Sequence, residues 1–254
     1  MARIVFLGTA SSIPTRTRDN TSFLLTHMNK TFLVDCPGSV VHKLLKIGAD
    51  FKKLRNVIIT HQHPDHIYGI ISLVHTQCYL NDKLNIFSNT YTIRIIKKLV
   101  KIFGLGKKPY PALRYINVFT KHSFYSQKGL SLKAIHNVYI QGSFGIKCTF
   151  GKKSLLYTSD TSFSRKMLKA AGKVNYLIHD CTASSLYFKK HPSLYRMHTH
   201  ALSLTEYLKD KPTIKLIPIH FLLLKKEEED RIKKELSPLR KHLVFVKDFQ
   251  TLVL

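Results

Sequence analysis

Residues 61 to 66 read His61-Gln62-His63-Pro64-Asp65-His66, four cation-binding side chains within six positions. They follow the apolar run Val57-Ile58-Ile59-Thr60. If that run is a buried strand, His61 opens the turn at its C-terminal end, where an α/β sheet presents its functional groups. His61 and His63, two apart in an extended turn, point to the same side and can share one cation, while Asp65 and His66 can serve a second beside it. A solvated, His-rich loop is the competing reading. The strand-like anchor from Leu54 to Thr60 argues against it.

One zinc needs about four donors and a pair of zincs about seven, so this segment needs help from elsewhere. His136 directly follows the run Leu132 to Ile135, Asp160 follows Leu155 to Ser159, and His220 follows Leu216 to Ile219. Acids are scarce. Before residue 227 the only ones are Asp19, Asp35, Asp50, Asp65, Asp82, Asp160, Asp180, Glu206 and Asp210. Asp35, Asp65, Asp160 and Asp180 all sit at or just beyond the ends of apolar runs, which points to one site assembled from distant segments.

The elements that must position these residues follow from periodicity. Arg3–Leu7, Ser22–Thr26, Thr31–Val34, Val57–Thr60 and Leu84–Phe87 read as strands, with helices over Ser39–Ile47, Asp65–Tyr79 and Thr90–Phe103. Further strands are expected at Tyr115–Phe119, Leu130–Ile135, Gly145–Phe150, Ser154–Thr158, Tyr176–His179, Ile214–Pro218 and Leu243–Val246. Helices are expected at Phe163–Ala171, Ser203–Leu208 and Lys226–Leu236. Two β-rich halves with outer helices predict an α/β fold, a four-layer αββα sandwich, over a single domain 1–254 with the site at the edge between the sheets.

The chain of 254 residues is 44% hydrophobic, ample for a buried core. No apolar run approaches the roughly 20 residues of a membrane span, and the first ten residues do not resemble a cleaved signal. No membrane association and a cytoplasmic location are the expectation. Cys36, Cys78, Cys148 and Cys181 form no Cys-x-x-Cys pair, so reduced, mostly buried thiols are expected. Net charge is +26, from 41 Lys and Arg against 15 Asp and Glu. The basic residues are spread along the chain, which favours a positive field over the whole surface and an anionic partner.

The order of segments resembles the metallo-β-lactamase superfamily, and within it the ribonuclease Z-like phosphodiesterases, with some likeness to cyclic-phosphate phosphodiesterases. The likeness rests on Phe6-Leu7-Gly8-Thr9, Val34-Asp35-Cys36, the His61 to His66 cluster with Tyr68-Gly69, His136 with Phe144-Gly145, and Ser159-Asp160-Thr161. It extends through His179-Asp180-Cys181-Thr182, His198-Thr199 and Ile219-His220-Phe221. The resemblance implies that His61, His63 and His136 bind one metal, Asp65, His66 and His220 the other, and Asp160 both. It further implies two Zn2+ ions, with Mn2+ or Fe2+ as alternatives. Asp65 would orient the attacking water, and His198 would protonate the leaving oxygen beside the acid Asp180. His200, two residues on, is the alternative donor.

RNA is the first substrate implied, with tRNA 3′ processing included, and a small cyclic phosphate the second. A non-catalytic RNA-binding protein is a third reading, opposed by the full ligand set. The resemblance also admits a homodimer. Ribonuclease Z enzymes carry an arm for tRNA between the segments of His136 and Asp160, whereas here only residues 137–159 lie between them. Another surface would have to grip a tRNA. The basic stretch Ile93 to Phe103 and the Gly104 to Tyr110 loop, with Arg114, offer charge and an aromatic ring for it.

Overall fold

Alternation along the strands decides the layers. The computed structural model of the protein describes residues 1–127 and 129–254. In β1 (Ala2–Gly8), Ile4 and Phe6 face one core while Val5 and Leu7 face another. In β2 (Ser22–His27), Phe23 and Leu25 oppose Leu24, and in β3 (Lys30–Val34), Phe32 and Val34 oppose Leu33. Apolar side chains on both faces of a pleated strand demand a packed layer above and below it.

After α1 (Val40–Lys46) the chain alternates through β4 (Asn56–Ile58), α2 (Pro64–Ile67), α3 (Gly69–Thr76), β5 (Lys83–Ser88), α4 (Thr90–Ile102) and β6 (Ala112–Asn117). The second sheet is built from β7 (Tyr125–Gln127), β8 (Leu130–His136), β9 (Phe144–Phe150) and β10 (Lys153–Tyr157). It is completed, around α5 (Arg165–Ala171), α6 (Ser185–Lys190) and α7 (Ala201–Leu208), by β11 (Tyr176–Asp180) and β12 (Lys215–Ile219). α8 (Lys226–Leu236) and β13 (Thr251–Val253) close the chain.

The first sheet runs β13-β1-β2-β3-β4-β5-β6 and the second β12-β11-β10-β9-β8-β7. Between them lies a core of Phe6, Phe23, Phe32, Phe144, Tyr157 and their neighbours. Val40, Leu44, Ile70, Leu73, Ile96 and Val100 pack helices onto the outer face of the first sheet. Met167, Leu204, Leu208, Ile232 and Leu236 do so for the second. The result is the expected αββα sandwich. No helix among the described residues is long and apolar enough to cross a membrane.

α4 shows why the local sequence suffices in places. Asn89 caps it by accepting from Thr92 N at 2.9 Å. Ile93, Ile96 and Val100 form its buried stripe, while Arg94, Lys97, Lys98 and Lys101 stay exposed.

Four expectations are corrected. The helix expected over Asp65–Tyr79 breaks at Tyr68, because Gly69 N donates to Cys36 O at 2.7 Å instead of continuing the α2 ladder. Leu243–Val246 is not a strand. Among the described residues its one bridge to β12 joins Leu243 to Leu216, and the chain then crosses to the first sheet, where β13 pairs with β1. β6 starts at Ala112, in register with Lys83 of β5, and leaves Phe119 outside the sheet. Finally, α6 and a short 3-10 turn at Pro192–Arg196 occupy a stretch with no predicted element.

Candidate metal centre

Strand ends supply many of the polar groups of the site, and the short α2 and the segments between elements supply the others. β3 ends before Asp35, β4 leads into His61, β10 ends before Ser159-Asp160, β11 ends on Asp180, and β12 ends before His220. Asp35 (φ 56°), Ser159 (φ 56°) and His220 (φ 65°) take left-handed backbone conformations although none is glycine. Such residues cost on the order of 1–3 kcal/mol each and persist where the surroundings hold them, characteristically at functional sites. Here they turn the chain sharply as it leaves each sheet.

Two groups of donors converge. Asp65, His66, Asp160 and His220 offer ligand atoms within 4.8 Å of one another, and so do His61, His63 and Asp160. Asp160 belongs to both, as a residue between two cations must. Its Oδ2 lies 3.1 Å from His220 Nε2 and 3.8 Å from His61 Nε2, while its Oδ1 lies 3.3 Å from His66 Nε2. His61, His66, Asp160 and His220 are all nearly or fully buried.

The far side of each ring is held by a neighbour. Thr60 Oγ1 lies 3.1 Å from His61 Nδ1, Thr182 Oγ1 lies 3.2 Å from His220 Nδ1, and Asp35 Oδ2 lies 3.0 Å from His66 Nδ1. Asp35 is itself held by Tyr157, whose hydroxyl donates to Oδ2 at 2.9 Å, and by Thr60 N and Oγ1. Such outer contacts fix ring orientation in metal sites. The position of Asp35 at a strand end marked it in the sequence, but Thr60, Tyr157 and Thr182 carried no signal of their own.

The donor set fits a divalent cation. Among the described residues, His61 Nε2, His66 Nε2, His220 Nε2 and Asp160 Oδ1 are buried without a hydrogen-bond partner. Orphaned buried polar atoms are costly, and these face one another. Burial holds His61 neutral, its pKa well below the ordinary range, with the His66 and His63 rings adding to the effect. Burial also disfavours charge on His66, but Asp160, Asp35 and Asp65 overcome it and push that pKa well up. At His220 the same contest, led by Asp160, ends near a pKa of about 10. Against burial, His66 and His220 hold Asp65 down to about 2. A carboxylate field that retains protons on buried imidazoles would retain a cation in their place.

Asp180 and His198 adjoin this cluster. His198 Nδ1 lies 2.9 Å from Asp180 Oδ2, and the His198 ring stacks on His220 with centroids 5.1 Å apart. Asp180 also accepts from Thr182 Oγ1 at 2.7 Å and Thr161 N at 3.0 Å. His200 turns elsewhere. It caps α7, contacts Ser203 and packs against Phe188 and Tyr195.

His136 is not brought to the other donors. It is exposed and stacks face to face on Phe119, with centroids 4.2 Å apart and planes 5° from parallel. Tyr139, which sequence reasoning missed, stands over the cluster instead. Its hydroxyl lies 2.9 Å from His63 Nδ1, and its ring packs against His61, His63 and His198. Burial, then Asp160, Asp180 and Asp65, push its phenol pKa up. Cys36 and Cys181 are buried thiols, their pKa values pushed up by burial and by the aspartates before them, and neither joins the donors.

The sandwich, with its His/Asp cluster at strand ends, is a metallo-β-lactamase fold. The family model described as Anti-Pycsar protein Apyc1 matches residues 2–215, and the chain belongs to that family. It is similar to the ribonuclease Z of Bradyrhizobium diazoefficiens, 33% identical over 114 residues covering 44% of this chain and 38% of that protein. It is also similar to the ribonuclease Z of Thermoplasma volcanium, 27% identical over 231 residues covering 72% and 75%. The match thus spans less than half the length of the first of these relatives.

Among solved structures, the fold is similar to the metallo-β-lactamase fold protein YhfI of Bacillus subtilis (TM-score 0.82, 18% identity, covering 99% and 98%). It is similar too to human tRNase Z, short form (0.76, 17%, 99% and 98%), and to a diphosphatase of the PhnP family (0.72, 17%, 99% and 96%). At these identities the likeness is one of fold.

Proposed function

We propose that this chain is a two-metal phosphodiesterase whose proton donor is His198. The observation that carries the reading is the His198–Asp180 contact of 2.9 Å beside the His/Asp cluster. When bound, divalent cations at that cluster supply Lewis-acid polarisation of the phosphoryl group and an activated water. The chain's own groups do the rest. Asp180 engages Nδ1 and leaves Nε2 of His198 to deliver a proton to the leaving oxygen. Asp65, held ionised, accepts a hydrogen bond from the attacking water and aims it. His61, His63, Asp65, His66, Asp160 and His220 are the cation donors.

The substrate class we favour is a small cyclic phosphodiester. Its support is the connection between β8 and β9, the loop 137–143, which leaves no arm between His136 and Asp160. The anti-Pycsar role in the family's name is extended to this chain as part of the proposal. RNA is the second reading, supported by relatives named ribonuclease Z and by the net charge of +26.

The test is turnover by metal-loaded protein on bis(p-nitrophenyl) phosphate, on 2′,3′- and 3′,5′-cyclic nucleotides, and on a pre-tRNA bearing a 3′ trailer. Hydrolysis of a cyclic nucleotide with the pre-tRNA left intact is expected. Cleavage of the pre-tRNA with inert cyclic nucleotides would reverse the order of the two readings, and silence on every substrate would sink both.

A further inference from the structure

We propose that the C-terminal end of α4 and the loop after it dock the protein on an anionic lipid bilayer, with Ile102 and Phe103 entering the bilayer surface. This surface is separate from the metal centre.

The helical register sets the end of α4 apart from the rest of it. Ile93, Ile96 and Val100 bury one side of the helix, whereas Ile102, two residues past Val100, falls on the far side and is 74% exposed. Arg94 and Lys98, at four-residue steps before it, share its face and are exposed. Phe103, the C-cap residue, is 60% exposed. Its backbone N donates to Leu99 O at 3.0 Å, and Leu105 N donates to Val100 O at 3.0 Å while the Leu105 side chain is buried. The chain thus doubles back at Gly104 (φ 67°) and leaves two adjacent apolar side chains in water at the turn. A lone exposed apolar residue needs no explanation, but a pair set among lysines marks a contact surface.

The same end of the molecule gathers positive charge. Arg55 O accepts from Asn85 N at 2.9 Å and Asp82 O accepts from Ala112 N at 2.8 Å, which lines up the starting ends of β4, β5 and β6. His61 follows the opposite end of β4, so the patch and the metal centre lie at opposite ends of these strands. Tyr79, 86% exposed, is tied to the loop after α4 because its N donates to Pro109 O at 3.3 Å. Lys83, Lys98, Lys101, Lys107 and Lys108 are all exposed here. Asp82, 3.8 Å from Lys108, is the only acid in the sequence between Asp65 and Asp160.

Charge and side-chain shape together choose the occupant. A second copy of the chain would set lysines against lysines. A nucleic acid would meet the lysines and could stack on Tyr79, but it would leave Ile102, which has no ring, in water. An anionic bilayer satisfies both: its headgroups attract the lysines, and its acyl boundary takes Ile102 and Phe103 out of water. The expectation of no membrane association came from the lack of a spanning run, and a protein lying on a bilayer needs none.

The test is sedimentation of the full chain with vesicles of phosphatidylcholine alone and of equal parts phosphatidylcholine and phosphatidylglycerol. Binding to the mixed vesicles and not to the neutral ones, weakened by added salt, is expected. Ile102→Ser combined with Phe103→Ser should weaken that binding about 10- to 100-fold at unchanged net charge. Lys98→Glu combined with Lys101→Glu should weaken it about 100-fold. The chain has no tryptophan, so Phe103→Trp places a single reporter in the patch, and its emission should shift to the blue on mixed vesicles. Should either double variant unfold, as its melting curve would show, that emission decides alone. No sedimentation with mixed vesicles, undiminished binding by the serine variant, or an unshifted emission overturns the proposal. Capture of poly(U) but not of vesicles, lost in the glutamate variant, overturns it as well and gives the surface to a nucleic acid.

Discussion

At the scale of single residues, the difference between His198 and His200 is one of surroundings rather than of chemistry. His198 has Asp180 behind it and His220 beside it, whereas His200 spends its ring on the first turn of α7 and on Phe188 and Tyr195. His198→Ala is therefore expected to keep its metal content and lose about 100- to 10,000-fold in kcat on bis(p-nitrophenyl) phosphate, the usual worth of a positioned general acid. His200→Ala should stay within a few-fold of wild type, at some loss of stability through the α7 cap. Metal analysis and steady-state kinetics on the two variants check this, and the opposite pattern would transfer the role to His200. The alternation of types along 61–66 placed the first donors without any structure. Thr60, Thr182 and Tyr157 were not readable, since a hydroxyl that holds an imidazole looks like any other hydroxyl in a strand.

At the scale of elements, most strands and helices followed from periodicity, and the exceptions come from contacts between elements. Gly69 is one. A Cβ there would lie 2.1 Å from Pro37 O, so the break between α2 and α3 depends on close approach to the loop after β3. The same approach brings His66 O to Cys36 N at 2.8 Å and seats the short α2 that carries Asp65 and His66. Gly69→Ala is expected to destabilise the fold by about 1–3 kcal/mol, as overpacking does, seen as a lower urea midpoint with unchanged slope. An unshifted midpoint would show that the loop yields freely. The helical pattern of 65–79 could not reveal the break, because one glycine inside an apolar period is tolerated by helices. Leu243–Val246 misled for a related reason: Val246 is buried and Leu243, Val244 and Phe245 are half-buried, but by crossing between sheets rather than by pairing along one.

At the scale of the whole molecule, the two sheets bring residues from positions 35 to 220 to one edge, and that edge gathers uncompensated groups. Cation binding should therefore stabilise the fold by mass action. At an ion concentration 100 times the dissociation constant the gain is about 2.7 kcal/mol per site. For a chain of this size that corresponds to a melting temperature higher by roughly 5–10 °C. Calorimetry before and after EDTA treatment, with metal restored in a third scan, measures it. Equal melting temperatures in the three scans would argue against a structural coupling of the ions to the sandwich. What the sequence determined by itself was the class of fold and the presence of a cation site. Period-two burial, apolar runs and a local His/Asp cluster are short-range patterns, and each is readable within a dozen residues. Only the tertiary structure decided which strand-end residues meet. A position at the end of a strand says that a side chain reaches the sheet edge, not which way the following loop turns. The loop 137–143 turns back onto the Asp160 segment, so its hydrogen bonds to Thr158, Asp160, Thr161 and Ser162 send Tyr139 to the cluster and leave His136 on Phe119.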